Sequence, residues 1–145
     1  MSEAIKKIIE ERDMFARMLG MVIEEADIGY ARVSMALTKN HCNGVGMAHG
    51  GAIFSLADVA FGAAANGAYD HAVVTLSSNI IFLQPGRVSP LVAEARVIRR
   101  GAHIANYDVI VRDGAGTEVA RSQSSGFLTD IKLNMGCEKV SKDSE

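Results

Sequence analysis

The chain has 145 residues, 48% of them hydrophobic and 22% charged, the balance of one globular domain rather than of a disordered segment or two independent folds. Fifteen Lys and Arg against seventeen Asp and Glu leave a formal charge of -2, which gives no electrostatic footprint for a nucleic acid or an anionic membrane. Two cysteines, Cys42 and Cys137, cannot build a disulfide framework, so a reduced, cytoplasmic protein is expected.

Residues 3–18 set Ile5, Ile8, Ile9, Met14, Phe15 and Met18 among charges at helical spacing, which predicts one amphipathic helix and not a signal peptide. From 21 to 38, Ala31, Val33, Met35 and Leu37 alternate with polar residues, predicting two short strands that turn at Gly29. Residues 39–50 (KNHCNGVGMAHG) are loop by composition. A helix is predicted from Gly51 to about Gly67. Its apolar stretch is broken by Ser55, Asp58 and Asn66, unlike a membrane span. Four strands follow near 72–84, 88–100, 102–113 and 117–129, punctuated by Pro85-Gly86, Gly101 and Asp113-Gly114. One long helix framed by strands, with no crossover helices, implies an α+β fold with an antiparallel sheet. The expected organisation is an N-terminal helix over 1–20, a core domain over 21–129 and a polar tail over 130–145 that frays.

Fourteen glycines against two prolines are unusual, and Gly44, Gly46, Gly50, Gly51, Gly62 and Gly67 crowd one stretch. At about 100° per residue, Gly51, Ser55, Asp58, Gly62 and Ala65 share one side of the central helix. Ile53, Leu56, Ala57, Ala60 and Ala64 take the other, with Phe54 and Phe61 at its flanks. The apolar side is expected to meet the sheet, and the small-residue side to admit a ligand or another subunit. Asp58 sits in the middle of that second side. It either faces solvent or pairs with an arginine, or it is a catalytic carboxylate. The helix start has a comparable double reading. Unpaired N–H groups there can stabilise a developing oxyanion, with Gly50 and Gly51 leaving them accessible. The same glycines would also suit a tight turn at positive φ.

The segment HCNGVGMAHGGAIFSLADVAFGAAANG, with its Asn-x5-His-Gly-Gly-x6-Asp spacing, resembles the hotdog-fold thioesterases of the phenylacetate-degradation (PaaI-like) type. The resemblance extends through VVTLSSNIIFLQPGRV and covers about residues 20–129. It implies a long helix wrapped by a curved antiparallel sheet, and hydrolysis of acyl-CoA thioesters. Gly50 would then offer its N–H to the thioester carbonyl, with Asp58 as nucleophile or general base. Asn43 would place water or the thioester, and His49 would position the substrate. Gly51 would clear space beside the donor, and Thr75 would line the site as the small hydroxyl residue of relatives. The resemblance further implies homodimers whose sites use residues of both subunits, often paired again into tetramers. Coenzyme A enters as part of the substrate, and no separate cofactor is expected.

Other residues carry two readings. Thr75, Ser77 and Asn79 share a strand face by alternation, opposite Leu76, Ile80 and Phe82. They would line the cleft or form the wetter side of the sheet. Arg96, Arg99 and Arg100 make a basic patch, either a solvated edge or partners for the phosphates of coenzyme A. His41, Cys42 and His49 are close in sequence, but without a C-x-x-C or a second cluster no metal site is expected. Two rival functions remain at this level: a non-catalytic acyl-CoA-binding protein of the same fold, and a hotdog hydratase acting on enoyl-CoA.

Overall fold

The computed structural model describes residues 3–67 and 70–133; Cys137 and most of the expected tail lie outside the described residues. In chain order, helices α1 (Glu3–Arg12) and α2 (Met14–Met18) precede strands β1 (Met21–Asp27) and β2 (Tyr30–Met35). A short 3-10 turn (Lys39–His41) leads to helix α3 (Gly50–Asn66). Strands β3 (His71–Phe82), β4 (Leu91–Arg100), β5 (Ile104–Arg112) and β6 (Glu118–Lys132) complete the chain. They form one six-stranded antiparallel sheet in the order β1-β2-β4-β5-β6-β3.

The expected N-terminal helix is in fact two. Asp13 interrupts it and caps the second piece, its side chain accepting the Ala16 N–H at 2.9 Å. The capped turn redirects the chain, so Ile5 and Ile9 are buried while Met14, Phe15 and Met18 stay exposed. The hairpin turn falls at Gly29 as predicted. Its φ of 77° is the left-handed region that glycine tolerates, and Val97 donates its N–H to the Gly29 carbonyl at 2.8 Å.

The sheet wraps α3, which contacts all six strands. Small side chains make this approach close: Ala52, Ala57, Ala60, Ala63 and Ala64 of the helix are buried, as are Ala31, Ala93, Ala95, Ala105 and Ala120 of the strands. Ala65, predicted on the open side, is fully buried, because the last turn of α3 is enclosed more completely than the first. Phe61 packs edge-on against Tyr107 with ring centroids 5.4 Å apart.

The two edges of the sheet differ. Along β1, a bulge falls between Ile23 and Glu25, Glu24 pairs with Arg32 at 2.7 Å, and the Glu10 carboxylate accepts the Ile23 N–H. Along β3 there is no lysine, proline or carboxylate, and Leu76, Ile81 and Phe82 are exposed. The outer face of the sheet is polar. Glu94 accepts the Tyr30 hydroxyl at 2.8 Å, and Arg96 lies 4.6 Å over the Tyr30 ring. Arg96 is thus engaged within the sheet.

One buried carboxylate ties the loops at one end together. Asp113 accepts the backbone N–H groups of Ala115 and Thr117 on Oδ1 and those of Arg87 and Val88 on Oδ2. Burial pushes this carboxyl up, but the four donors outweigh burial and hold it below its ordinary value of 3.8. The unfolded chain therefore binds the proton more readily than the folded one. Stability from Asp113 is complete above the unfolded value and disappears as pH falls through the lower folded value. The stability gap between the wild type and Asp113→Asn in urea unfolding should hold steady between about pH 5 and about pH 8 and narrow below about pH 4.

Candidate active site

The start of α3 shows what the His-Gly-Gly sequence does locally. His49 is the N-cap, and its Nδ1 accepts the Gly51 N–H at 2.8 Å. A Cβ on residue 51 would lie 3.0 Å from that nitrogen, so Gly51 lets the imidazole close over its own helix. The next donors are also taken: Ala52 and Ile53 both give their N–H groups to the His49 carbonyl, at 3.0 and 3.1 Å. The Gly50 N–H makes no hydrogen bond among the described residues. It is thus the free donor of the first turn, at the positive end of the helix dipole. Neither Gly50 nor Gly51 has a positive φ, which removes the tight-turn reading. Instead, the Phe82 ring packs against Gly50, where a Cβ would stand only 3.2 Å from its Cζ.

The loop before the helix is held by its own side chains. Asn43 Oδ1 accepts the N–H groups of Val45 and Met47, at 3.0 and 3.2 Å, and the Asn43 N–H bonds the Met47 carbonyl at 2.7 Å. His41 is buried. Its Nδ1 accepts the Thr38 N–H, so the ring proton sits on Nε2, which donates to the Leu19 carbonyl at 2.7 Å. The His41 carbonyl in turn accepts the His49 N–H at 2.7 Å. His41 is therefore a strut beneath the His49-Gly50 turn. The Cys42 thiol faces the Thr38 carbonyl at 3.4 Å.

Asn43 and Gly50 line one cleft of about 320 Å³, with Met47, Phe82, Pro85 and Gly86 as further walls. Asp58 opens on a second cleft of about 320 Å³, between α1, α3 and β3, whose apolar walls include Ile5, Ile9, Val59 and Val73. The Thr75 hydroxyl donates to Asp58 Oδ1 at 2.9 Å, and no arginine pairs with this carboxylate among the described residues. Residues 50 and 58 are eight apart in one helix, about 12 Å along its axis. A single chain therefore places the donor and the carboxylate in separate clefts.

The other sequence candidates scatter. A bulge between Thr75 and Ser77 breaks the alternation of β3. Thr75 stays on the helix side with Ser78, Ile80 and Phe82, whereas Ser77 and Asn79 turn to the outer side. The expected common face of Thr75, Ser77 and Asn79 does not form, because one inserted residue reverses the strand's parity. Arg99 and Arg100 end β4, exposed, at the far end from Leu91 and the Gly50 cleft, about 30 Å along the strand. The register places Arg99 in one cross-strand row with Asn106, Ser125 and Ser77. Sequence reasoning passed over Phe82, Pro85 and Gly86 of the first cleft, where Pro85-Gly86 served only as punctuation. It also passed over Ile5 and Ile9 of the second, whose helical spacing marked them as core.

Comparison with known proteins gives this geometry a family. The model of the thioesterase superfamily matches residues 45–120, just over half of the chain. The acyl-coenzyme A thioesterase PaaI of Escherichia coli is 40% identical over 100 residues, 68% of this chain and 71% of its own length. The structure of the PaaI protein from the Escherichia coli phenylacetic acid degradation operon superposes with a TM-score of 0.81 at 34% identity, covering 86% of this chain and 90% of that one. A Thermus thermophilus protein, TT0310, superposes with a TM-score of 0.76 at 31% identity, covering 81% and 99%. The chain, with its single helix wrapped by an antiparallel sheet, belongs to the thioesterase superfamily.

Proposed function

We propose that this protein hydrolyses acyl-CoA thioesters, with two copies pairing along β3 so that each site combines Gly50 and Asn43 of one chain with Asp58 of the other. The observation that carries this reading is the order of groups along the bare edge. Gly50 lies against Phe82, and Asp58 is bonded to Thr75. Those two strand residues are about 20 Å apart on β3. An antiparallel β3–β3 pairing centred between them lays the Thr75 end of one copy beside the Phe82 end of the other. It also covers an edge that, apart from its bulge, carries no lysine, proline or carboxylate against pairing.

In such a site the Gly50 N–H binds the thioester carbonyl oxygen and stabilises its charge as the tetrahedral intermediate forms. Asp58 attacks the carbonyl carbon, or takes the proton of a water that attacks it, and coenzyme A leaves as its thiolate. Thr75 holds Oδ1 of the carboxylate and leaves Oδ2 for the chemistry. His49, with Nδ1 occupied by the Gly51 N–H, keeps a proton on Nε2 for the substrate, while Asn43 fixes the loop with its oxygen and keeps its NH2 group for water or the thioester. The apolar cleft beside Asp58 suits the acyl group. Arg99 and Arg100 close the cross-strand rows that begin at Ser77 and Thr75, about 14 Å away across the sheet, and remain our assignment for the coenzyme A phosphates. The further pairing of dimers into tetramers belongs to the same reading.

Release of free thiol from a panel of acyl-CoAs at equal concentration tests the chemistry. Asp58→Asn, which preserves the Thr75 contact, should lower kcat by about 10²-fold or more. Undiminished hydrolysis would remove Asp58 from the mechanism, and stoichiometric acyl-CoA binding without turnover by the wild type would favour the non-catalytic binding protein. Shared sites make a separate prediction. Asp58→Asn and Gly50→Val, each inactive alone, should regain about a quarter of wild-type activity when refolded together in equal amounts, since half the dimers are mixed and each mixed dimer holds one intact site of two. No recovery would place donor and carboxylate in the same chain.

A further inference from the structure

The Gly50 N–H is set by the backbone around it, and that backbone is held from outside the helix. Ala48, two residues before Gly50, is buried and donates its N–H to the Gly86 carbonyl at 3.0 Å. Gly86 belongs to the β3–β4 loop, which walls the Gly50 cleft with Gln84 and Pro85. The next two N–H groups of that loop, on Arg87 and Val88, both go to Asp113 Oδ2 at 3.3 Å. The other carboxylate oxygen closes the β5–β6 turn through Ala115 and Thr117, at 3.0 and 3.3 Å. Gly114, beside Asp113, gives its N–H to the Val88 carbonyl at 2.7 Å. A continuous path of hydrogen bonds and two adjoining peptide units thus runs from a buried carboxylate in a distant turn to the helix start.

Resting on the reading of Gly50 as the oxyanion donor, we propose that Asp113 is a positioning residue for catalysis: it locks the 84–88 loop, and the loop fixes the His49-Gly50 turn through Ala48. Asp113 is not among the residues that line either cleft, so it acts through the loop. Its carboxylate matters because both oxygens accept. Asparagine keeps one acceptor and turns an NH2 toward two backbone donors, so it loses the bonds of one side outright. The loop then loosens where it meets Ala48, and a donor moved by a fraction of an ångström stabilises the transition state less while the rest of the substrate still binds.

The test compares wild type with Asp113→Asn in two measurements: kcat and KM for an acyl-CoA that the wild type hydrolyses, and amide hydrogen exchange at Ala48 and Val109. Expected are a kcat lower by about tenfold with KM within about twofold, and exchange at Ala48 quickened by about tenfold more than at Val109 in mid-sheet, whose own change reports the global destabilisation expected of this variant. A general loss of stability would speed both amides alike, and that result overturns the proposal. So does an unchanged kcat, or unchanged exchange at Ala48. The exchange arm decides the positioning role even if the wild type releases no thiol, a result that would instead overturn the thioesterase reading. Should Asp113→Asn not fold, Gly86→Ala probes the same link with Asp113 intact, because its methyl would stand 3.1 Å from Ala48 Cβ. The same kcat and Ala48 changes are then expected, and wild-type values for both overturn the proposal.

Discussion

The closeness of α3 to its sheet is the constraint on which the rest depends. Alanines are buried on both the helix and the inner side of the strands, interleaved with larger side chains such as Leu56, Phe61 and Tyr107, so the two surfaces approach closely. Interiors are packed at crystal-like density, and added methylenes at such positions typically cost about 1–3 kcal/mol. The tight seam fixes the rotation of the helix as well as its distance. With that rotation set, Asp58 comes to the open side beside Thr75, and the first turn presents its N–H groups beneath Phe82.

Around that first turn, side chains mainly organise backbone. His49 takes one N–H of its own helix, Asn43 closes its own loop, and His41 joins Leu19 to the loop that carries His49. What remains at that turn, among the described residues, is the Gly50 N–H without a partner, held in place by groups that are themselves satisfied. In the proposed mechanism, a dipole fixed in this way would not need to reorient as charge develops on a substrate oxygen, which is where its catalytic value would lie. The carboxylate is treated differently. Asp58 has one oxygen held by a hydroxyl, no ion-pair partner among the described residues and apolar neighbours in its cleft, the setting that the proposed mechanism reads as a reagent's.

Periodicity carried the fold a long way. The helix predicted from Gly51 begins one residue earlier, and all six strands lie near their predicted places, β6 running on to Lys132. The Asn-His-Gly-Gly-Asp spacing picked out residues that do sit at the helix start and on its open face. Other features were closed to a pattern of apolar and polar residues. A bulge at Leu76 leaves composition unchanged but reverses every side chain beyond it, so Ser77 and Asn79 parted from Thr75. Asp13 lies inside an otherwise helical run, and only its cap geometry shows that the helix restarts there. The distance of Arg99 and Arg100 from Gly50 follows from strand direction and order, which no local window contains. Asp113 looked like one half of an Asp-Gly turn, since the two loop amides that reach it come from about 25 residues away in sequence.

The unequal edges of the sheet bear on how far assembly can run. A strand edge that is sticky at both ends of a molecule propagates, and chains that add to one another at both sides grow into fibres. Here β1 carries a bulge, an ion pair and a carboxylate on its amide, while β3 has a bulge but no lysine, proline or carboxylate. Joining two molecules through β3 would consume the one inviting edge of each and leave only guarded edges outermost. In the proposed pairing, the same asymmetry that brings a second copy to the site would also halt sheet growth at two.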